Sequence, residues 1–263
     1  MSKTILITGA TDGIGLEAAK LLAAEGHQVL LHGRSAAKLE AAKAQLAGGS
    51  ETYLADLSDL TAVDKLADEI AEKHDHLDVL INNAGVLKAP QTITTDGHDI
   101  RFMVNTHAPY LLAKRLLPLM DGAGRIVNLS SAAQAPVNLD ALAGKARLAD
   151  MEAYSQSKLA ITMWSRIMAE DLAEGPLVVS VNPGSLLATN MVKDGFGIAG
   201  NDIGIGSGIL HRAALSDEFE GKLGAYFDND SGDFGPPHPD AMDDMKAKAV
   251  VAGIEAVLAD AGF

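Results

Sequence analysis

Residues 4–15 read TILITGATDGIG. Thr4 to Thr8 are short and mostly apolar or β-branched, which suits a buried strand. Gly9, Gly13 and Gly15 follow at once, and an amphipathic run from about 14 to 25 follows them. Glycines at that point permit a tight turn and a close backbone approach to a ligand. The helix beyond them offers unpaired N–H groups and the positive end of its dipole, a ready site for phosphate. The spacing is G-x-x-x-G-x-G, in the place a dinucleotide-binding unit requires. A literal G-x-G-x-x-G occurs at Gly195, Gly197 and Gly200, but no strand ends before it, and it reads as a decoy loop.

The same rhythm continues along the chain. Strand patterns fall at 4–8, 28–32, 52–55, 77–82, 125–130 and 177–182, with a weaker seventh at 224–227. Helical patterns fill 14–25, 35–47, 59–73, 99–120, 152–174 and 240–260. Strands alternating with helices predict an α/β fold, a parallel sheet of about seven strands with helices on both faces. No Pro/Ser-rich linker divides residues 1–263, so one domain is expected. Two stretches break the rhythm, 132–150 and the glycine-rich 183–211. Each follows the carboxyl end of a strand, where open α/β sheets bind ligands.

Composition narrows the function. A net charge of −14 argues against nucleic acid and anionic membrane surfaces. With no cysteine there are no disulfides, no thiol catalysis and no cysteine zinc site. No segment approaches the roughly 18 apolar residues of a membrane span. The apolar run at the N-terminus is too short for a signal peptide, so a cytoplasmic location is expected. His74 and His76 suit a helix C-terminus better than a metal, and DNDSGD at 228–233 lacks the ligand pattern of a calcium loop and reads as a turn. No metal site is expected.

The end of the second strand bears on the ligand. A carboxylate there would accept from an adenosine ribose and repel a 2′-phosphate. This chain has Gly33 and then Arg34, with Lys38 one turn on. That favours NADP(H) over NAD(H), although Asp12 in the glycine loop pulls mildly the other way.

YSQSK, residues 154–158, places a phenol and an ammonium at i and i+4, on one helical face. TGATDGIG (8–15), NNAG (82–85), NLSS (128–131), YSQSK and NPGS (182–185) stand in order along the chain. Together they resemble the short-chain dehydrogenase/reductase family over essentially the whole chain. The resemblance implies a single Rossmann-type, doubly wound domain, a nicotinamide cofactor and a catalytic tetrad of Asn105, Ser131, Tyr154 and Lys158, with Ser131 preferred to Ser130. It implies a cofactor cradle of Gly9, Thr11, Asp12, Gly13, Ile14 and Gly15. Asp56 and Leu57 match an adenine-contacting pair, and Asn83, Ala84 and Gly85 match the segment after the fourth strand. Pro183, Gly184 and Thr189 match the nicotinamide side. In this family pattern Lys158 lowers the tyrosine pKa and holds the nicotinamide ribose, Ser131 orients the substrate oxygen, and Asn105 connects Lys158 to a proton path.

Two features depart from the usual pattern. Ser131 and Tyr154 are 23 residues apart, longer than the family norm, and Thr189 sits one residue late after Pro183. The long spacing and DGHDIRFMVNTHAPYLL (96–112) are similar to the retinol dehydrogenase and protochlorophyllide reductase side of the family. The implied function is interconversion of a small-molecule carbonyl and an alcohol. A non-enzymatic NADP(H) sensor and a reductase of activated C=C bonds are the alternatives; the complete tetrad disfavours the first and the absence of cysteine the second. The family also implies a homodimer or homotetramer. Gln134, Leu186 and Met191, on loops at 132–150 and 186–212, are the candidate substrate contacts.

Overall fold

Eight strands form one sheet in the order β3-β2-β1-β4-β5-β6-β7-β8 in the computed structural model, which describes residues 2–172 and 174–263. The strands are β1 (Thr4–Ile7), β2 (Gln28–Gly33), β3 (Ser50–Leu54), β4 (Val79–Asn82), β5 (Arg125–Leu129), β6 (Leu177–Asn182), β7 (Tyr226–Asp228) and β8 (Asp233–Gly235). β1 to β7 are parallel. β8 is antiparallel to β7, and the DNDSGD segment is the turn between them, closed by Gly232 N–H donating to Asp228 O at 2.8 Å. The seven expected strands are present, and β8 is an eighth that its three residues gave no periodicity to reveal.

Alternate side chains of each strand go to opposite faces, as the period of two requires. Leu6, Leu30, Leu80, Ile126 and Val178 pack on one face. They meet α3 (Leu60–Lys73), α5 (Ala108–Leu116), α7 (Asp150–Asp171) and α10 (Asp244–Asp260). Ile5, Ile7, Val29, Val79, Ile81, Val127 and Val179 pack on the other, against α1 (Gly13–Ala24), α2 (Ala36–Lys43) and α9 (Ile203–Leu215). The sheet is therefore doubly wound, a Rossmann-type fold. Helix starts follow local chemistry: Asp12, Ser35, Asp59, Asp202 and Asp243 each accept a backbone N–H at the N-cap of their helix.

Three expectations need correction. The helix read over 99–120 is broken. It runs as α4 (Ile100–Phe102), one π-turn (Met103–His107) and α5. The stretch 132–150 holds one short turn of helix, α6 (Leu139–Leu142). The stretch 186–212 is not a loop throughout: α8 (Asn190–Phe196) and most of α9 lie in it. Gly204, Gly206 and Gly208 gave α9 the look of a loop, because glycine is a poor helix former. Tertiary contact overrides that propensity. A Cβ on Gly206 would lie 2.6 Å from Leu187 Cδ1 and 3.1 Å from Ile14 Cδ1, so only glycine lets α9 approach the start of α1 this closely. Met163 and Trp164 of α7 are buried in the core, with Trp164 edge-on to Tyr110 at 5.5 Å between centroids.

Candidate active site

The chain runs outward from β1 to β2 and β3, then returns past β1 to start β4. A crevice opens at that reversal, beyond the strand carboxyl ends. It holds a cleft of about 700 Å³. From the glycine loop, Gly9, Thr11, Asp12, Gly13 and Ile14 line it. Arg34, Lys38, Asp56 and Leu57 line the side toward β2 and β3, and Asn83, Ala84 and Gly85 the centre. Tyr154, Lys158, Pro183, Thr189 and Met191 close the far side. Gly15, Gly184, Asn105, Ser131, Gln134 and Leu186 stand outside this lining.

The glycines are demanded by local geometry. Gly9 has φ +65° and Gly13 φ +58°, both in the left-handed region. Gly15 packs with no room to spare: a Cβ there would lie 2.4 Å from Asn83 Nδ2. That amide donates to Thr8 O at 2.8 Å and Gly9 O at 3.1 Å, which ties β4's end to the loop. A Cβ on Gly33 would strike Thr11 Cγ2 at 2.5 Å. Asp12 accepts from Gly13 N–H at 2.7 Å and from Asn190 Nδ2 at 2.5 Å. The second bond brings α8 against the glycine loop; Met191 Cε also comes within 3.6 Å of where a Cβ on Gly85 would sit. The cradle thus fits a dinucleotide, with bare backbone and a helix N-terminus facing the cleft and cations at β2's end.

Across the cleft, α7 carries Tyr154 and Lys158 one turn apart. Lys158 Nζ lies 5.8 Å from the Tyr154 ring centroid and donates to Leu129 O at 2.7 Å. Burial lowers the Lys158 pKa to about 8. Burial also raises the Tyr154 pKa, against a hydrogen bond from Ser131 that works to lower it. In the chain alone, desolvation outweighs that hydrogen bond, and the lowering expected of Lys158 does not show. Ser131 is the serine that faces Tyr154. Ser130 is turned inward, where its Oγ donates to Lys158 O at 3.0 Å and lies 2.6 Å from Thr162 Oγ1.

Asn105 sits in the π-turn, and its side chain is fully employed. Nδ2 donates to Val86 O at 3.0 Å and Ser157 Oγ at 2.9 Å, and Oδ1 accepts Val86 N–H at 2.8 Å. It clamps the irregular segment after NNAG to the turn of α7 between Tyr154 and Lys158. Gln134, expected to contact substrate, is committed within the protein. Its amide donates to Ser131 O at 3.0 Å, and its carbonyl accepts His238 N–H at 3.1 Å. Leu186 is 43% exposed and has φ +52°, the left-handed region that non-glycine residues seldom adopt.

Three supporting groups escaped the sequence reading. Arg101 is buried, bidentate to Asp99 at 2.8 and 2.6 Å, and donates to Asp150 at the start of α7 at 2.5 Å. Asp230, in the β7–β8 turn, accepts from Ser185 N–H at 2.8 Å and Asn182 Nδ2 at 2.9 Å, bracing the NPGS segment. The third is His32, buried at the end of β2 on the cleft wall. Only an ionisable residue inside an apolar strand hinted at it.

Burial holds the pKa of His32 and of His107 at about 4. Between about pH 6.5 and 4 the unfolded chain binds protons that the folded chain does not, so stability falls as pH drops through that window. Each histidine accounts for a loss on the order of 3 kcal/mol, at about 1.4 kcal/mol per pH unit. Urea midpoints measured from pH 7.5 to 4.5 should fall accordingly. His107→Asn keeps a donor for Phe102 O and should flatten part of the slope; an unchanged slope would refute the assignment.

Residues 3–196 match the sequence model of the family described as short chain dehydrogenase. The chain belongs to that family. Human Retinol dehydrogenase 13 is 35% identical over 193 residues, covering 69% of this chain and 58% of that protein. Mouse Retinol dehydrogenase 12 is 34% identical over 196 residues, 71% and 62% of the two chains. This short-chain dehydrogenase thus spans about three fifths of the length of these curated relatives, and they stand on the retinol dehydrogenase side anticipated from residues 96–112. Among solved structures, an uncharacterized protein from Mycobacterium Paratuberculosis superposes with a TM-score of 0.81 at 31% identity, covering 97% of this chain and 92% of that one.

Proposed function

We propose that this short-chain dehydrogenase interconverts a carbonyl and an alcohol with a nicotinamide dinucleotide, NADP(H) in preference to NAD(H), and with Tyr154 as the proton donor or acceptor. The observation that carries the reading is the placement of Tyr154 and Lys158 on one turn of α7, across the cleft from the glycine loop. The relatives' printed names, retinol dehydrogenases, support oxidoreduction of an alcohol or its carbonyl.

The nicotinamide would supply or take up the hydride. The chain's own residues handle the proton and the geometry. Ser131 orients the substrate oxygen toward Tyr154. Tyr154, with its pKa raised by burial, stays protonated at neutral pH and gives its proton to the carbonyl oxygen as the carbon beside it takes up the hydride. Lys158, at about 8, still carries its charge over most molecules at pH 7 and stabilises the phenolate left behind. In the oxidative direction Tyr154 is the base. Asn105 keeps Val86 and Ser157 in register, so that both sides of the cleft hold their spacing. Large apolar side chains stay exposed after β6, at Leu186, Ile198 and Ile205, which supports an apolar substrate.

Arg34 and Lys38 flank the cleft at β2's end, where a 2′-phosphate would be read. A charge-assisted hydrogen bond contributes about 1.5–3 kcal/mol, so NADPH should bind about 10–100-fold more tightly than NADH. Fluorescence titration of both cofactors tests this, and Arg34→Glu should abolish or reverse the preference. Equal binding of NADPH and NADH to the wild type would refute the NADP reading; binding of neither would remove the cofactor altogether.

A further inference from the structure

We propose that His32 is a positioning residue for the adenosine half of the nucleotide site, its ring tying together the three strand ends that hold that half; this rests on the cofactor reading above. His32 Nδ1 accepts the N–H of Gly9 at 3.3 Å. Its Nε2 lies 3.1 Å from Ala55 O. Gly9 N–H is a donor and Ala55 O an acceptor, so the pair selects one neutral tautomer, with the proton on Nε2. The imidazole therefore spans β2 from the glycine loop on one side to the segment entering Asp56 and Leu57 on the other. Its own backbone continues into Gly33 and Arg34.

Backbone bonds repeat the linkage. His32 O accepts Ala10 N–H at 2.9 Å, and Gly33 O accepts Ala55 N–H at 3.1 Å. The ring sets the spacing between the loop expected to take the pyrophosphate, the cation expected to take the 2′-phosphate, and the pair expected to take the adenine. A bulky apolar side chain would fill the space, but it would leave the Gly9 N–H and Ala55 carbonyl without the ring's two bonds. Protonation would turn a second donor against Gly9 N–H. The ring is 2% exposed, and burial is the main force keeping it neutral, with the bond to Ala55 O and then the Asp56 carboxylate acting the other way. The Gly9 amide is turned back into the protein, so anion binding is left to the amides at the start of α1.

The role separates from simple packing by substitution. In His32→Asn the side-chain oxygen reaches the Nδ1 position and keeps the Gly9 bond alone. In His32→Gln the side-chain amide reaches the Nε2 position and keeps the Ala55 bond alone. His32→Leu keeps neither. Calorimetric titration with 2′,5′-ADP, which carries the adenosine half only, should show Kd raised about tenfold in His32→Leu. The two polar variants should fall between it and the wild type. NADPH should weaken by the same factor as 2′,5′-ADP in each variant, which locates the loss away from the nicotinamide. Equal Kd values per folded molecule, with only the melting temperature lowered, would show a packing role and overturn the proposal. If His32→Leu does not fold, the Asn and Gln variants carry the same comparison. A wild type that binds neither ligand overturns the cofactor reading itself, whereas normal wild-type binding with unchanged variants overturns the role of His32 alone.

Discussion

Tyr154→Phe is expected to lower kcat about 10²–10⁴-fold, the usual worth of a positioned proton donor, while NADPH binding and thermal stability stay close to wild type. The substitution removes one hydroxyl. The ring, 9% exposed against the end of β5 and beside Lys158, keeps its packing. No backbone bond depends on the phenol, so the fold loses little. The loss falls on the proton that the carbonyl oxygen needs when its carbon accepts the hydride. Consumption of NADPH against a panel of apolar ketones and aldehydes reads it directly. Turnover in Tyr154→Phe within a few-fold of wild type would end the case for Tyr154 as acid, and it would favour a binding role for the whole site. Cofactor titration of the same variant separates the two explanations of a dead enzyme: unchanged Kd with no turnover places the defect in chemistry.

Arg101→Met should cost about 3–5 kcal/mol of folding stability, the penalty for leaving one charge of a buried pair alone. Asp99 is 3% exposed, and its two carboxylate oxygens both face the guanidinium. Removing the cation strands that carboxylate and also frees Asp150 at the first turn of α7. A double variant, Arg101→Met with Asp99→Leu, should regain most of the loss, because an apolar pair removes the unpaired charge. Urea unfolding of the three proteins tests the idea. A single variant as stable as wild type would mean the pair contributes nothing net. The site is affected as well as the fold, because Asp150 begins the helix that carries Tyr154 and Lys158.

The parts legible in the sequence were those that depend on neighbours along the chain. TILITGATDGIG shows strand, turn and helix N-terminus within twelve residues, and YSQSK shows its own i, i+4 face. The alternation of apolar strands with amphipathic helices is likewise local, and it suffices for the doubly wound sheet. Features set by distant contact were hidden. The Asp12–Asn190 bond joins residues 178 apart. The helix over Ile203–Leu215 exists because Gly206 admits Leu187 and Ile14, which no window of sequence displays. Gln134 looked like a pocket residue because it follows NLSS, yet its hydrogen bonds turn it into a brace for Ser131 and the segment at His238. The π-turn at Met103–His107 left the apolar spacing of a helix intact while shifting Asn105 into contact with Ser157.

The eighth strand bears on how molecules of this protein meet. An exposed strand edge invites pairing with another chain, and proteins protect such edges with short strands, charge and proline. Here the sheet ends in Asp233–Gly235, three residues led by an acid and followed by Pro236 and Pro237, which have no N–H to offer a visiting strand. At this border the sheet is a poor template for a strand from another copy. Crowded or partly unfolded molecules are kept from stacking edge to edge there, so the device guards solubility in a chain whose centre is a wall of valine, isoleucine and leucine.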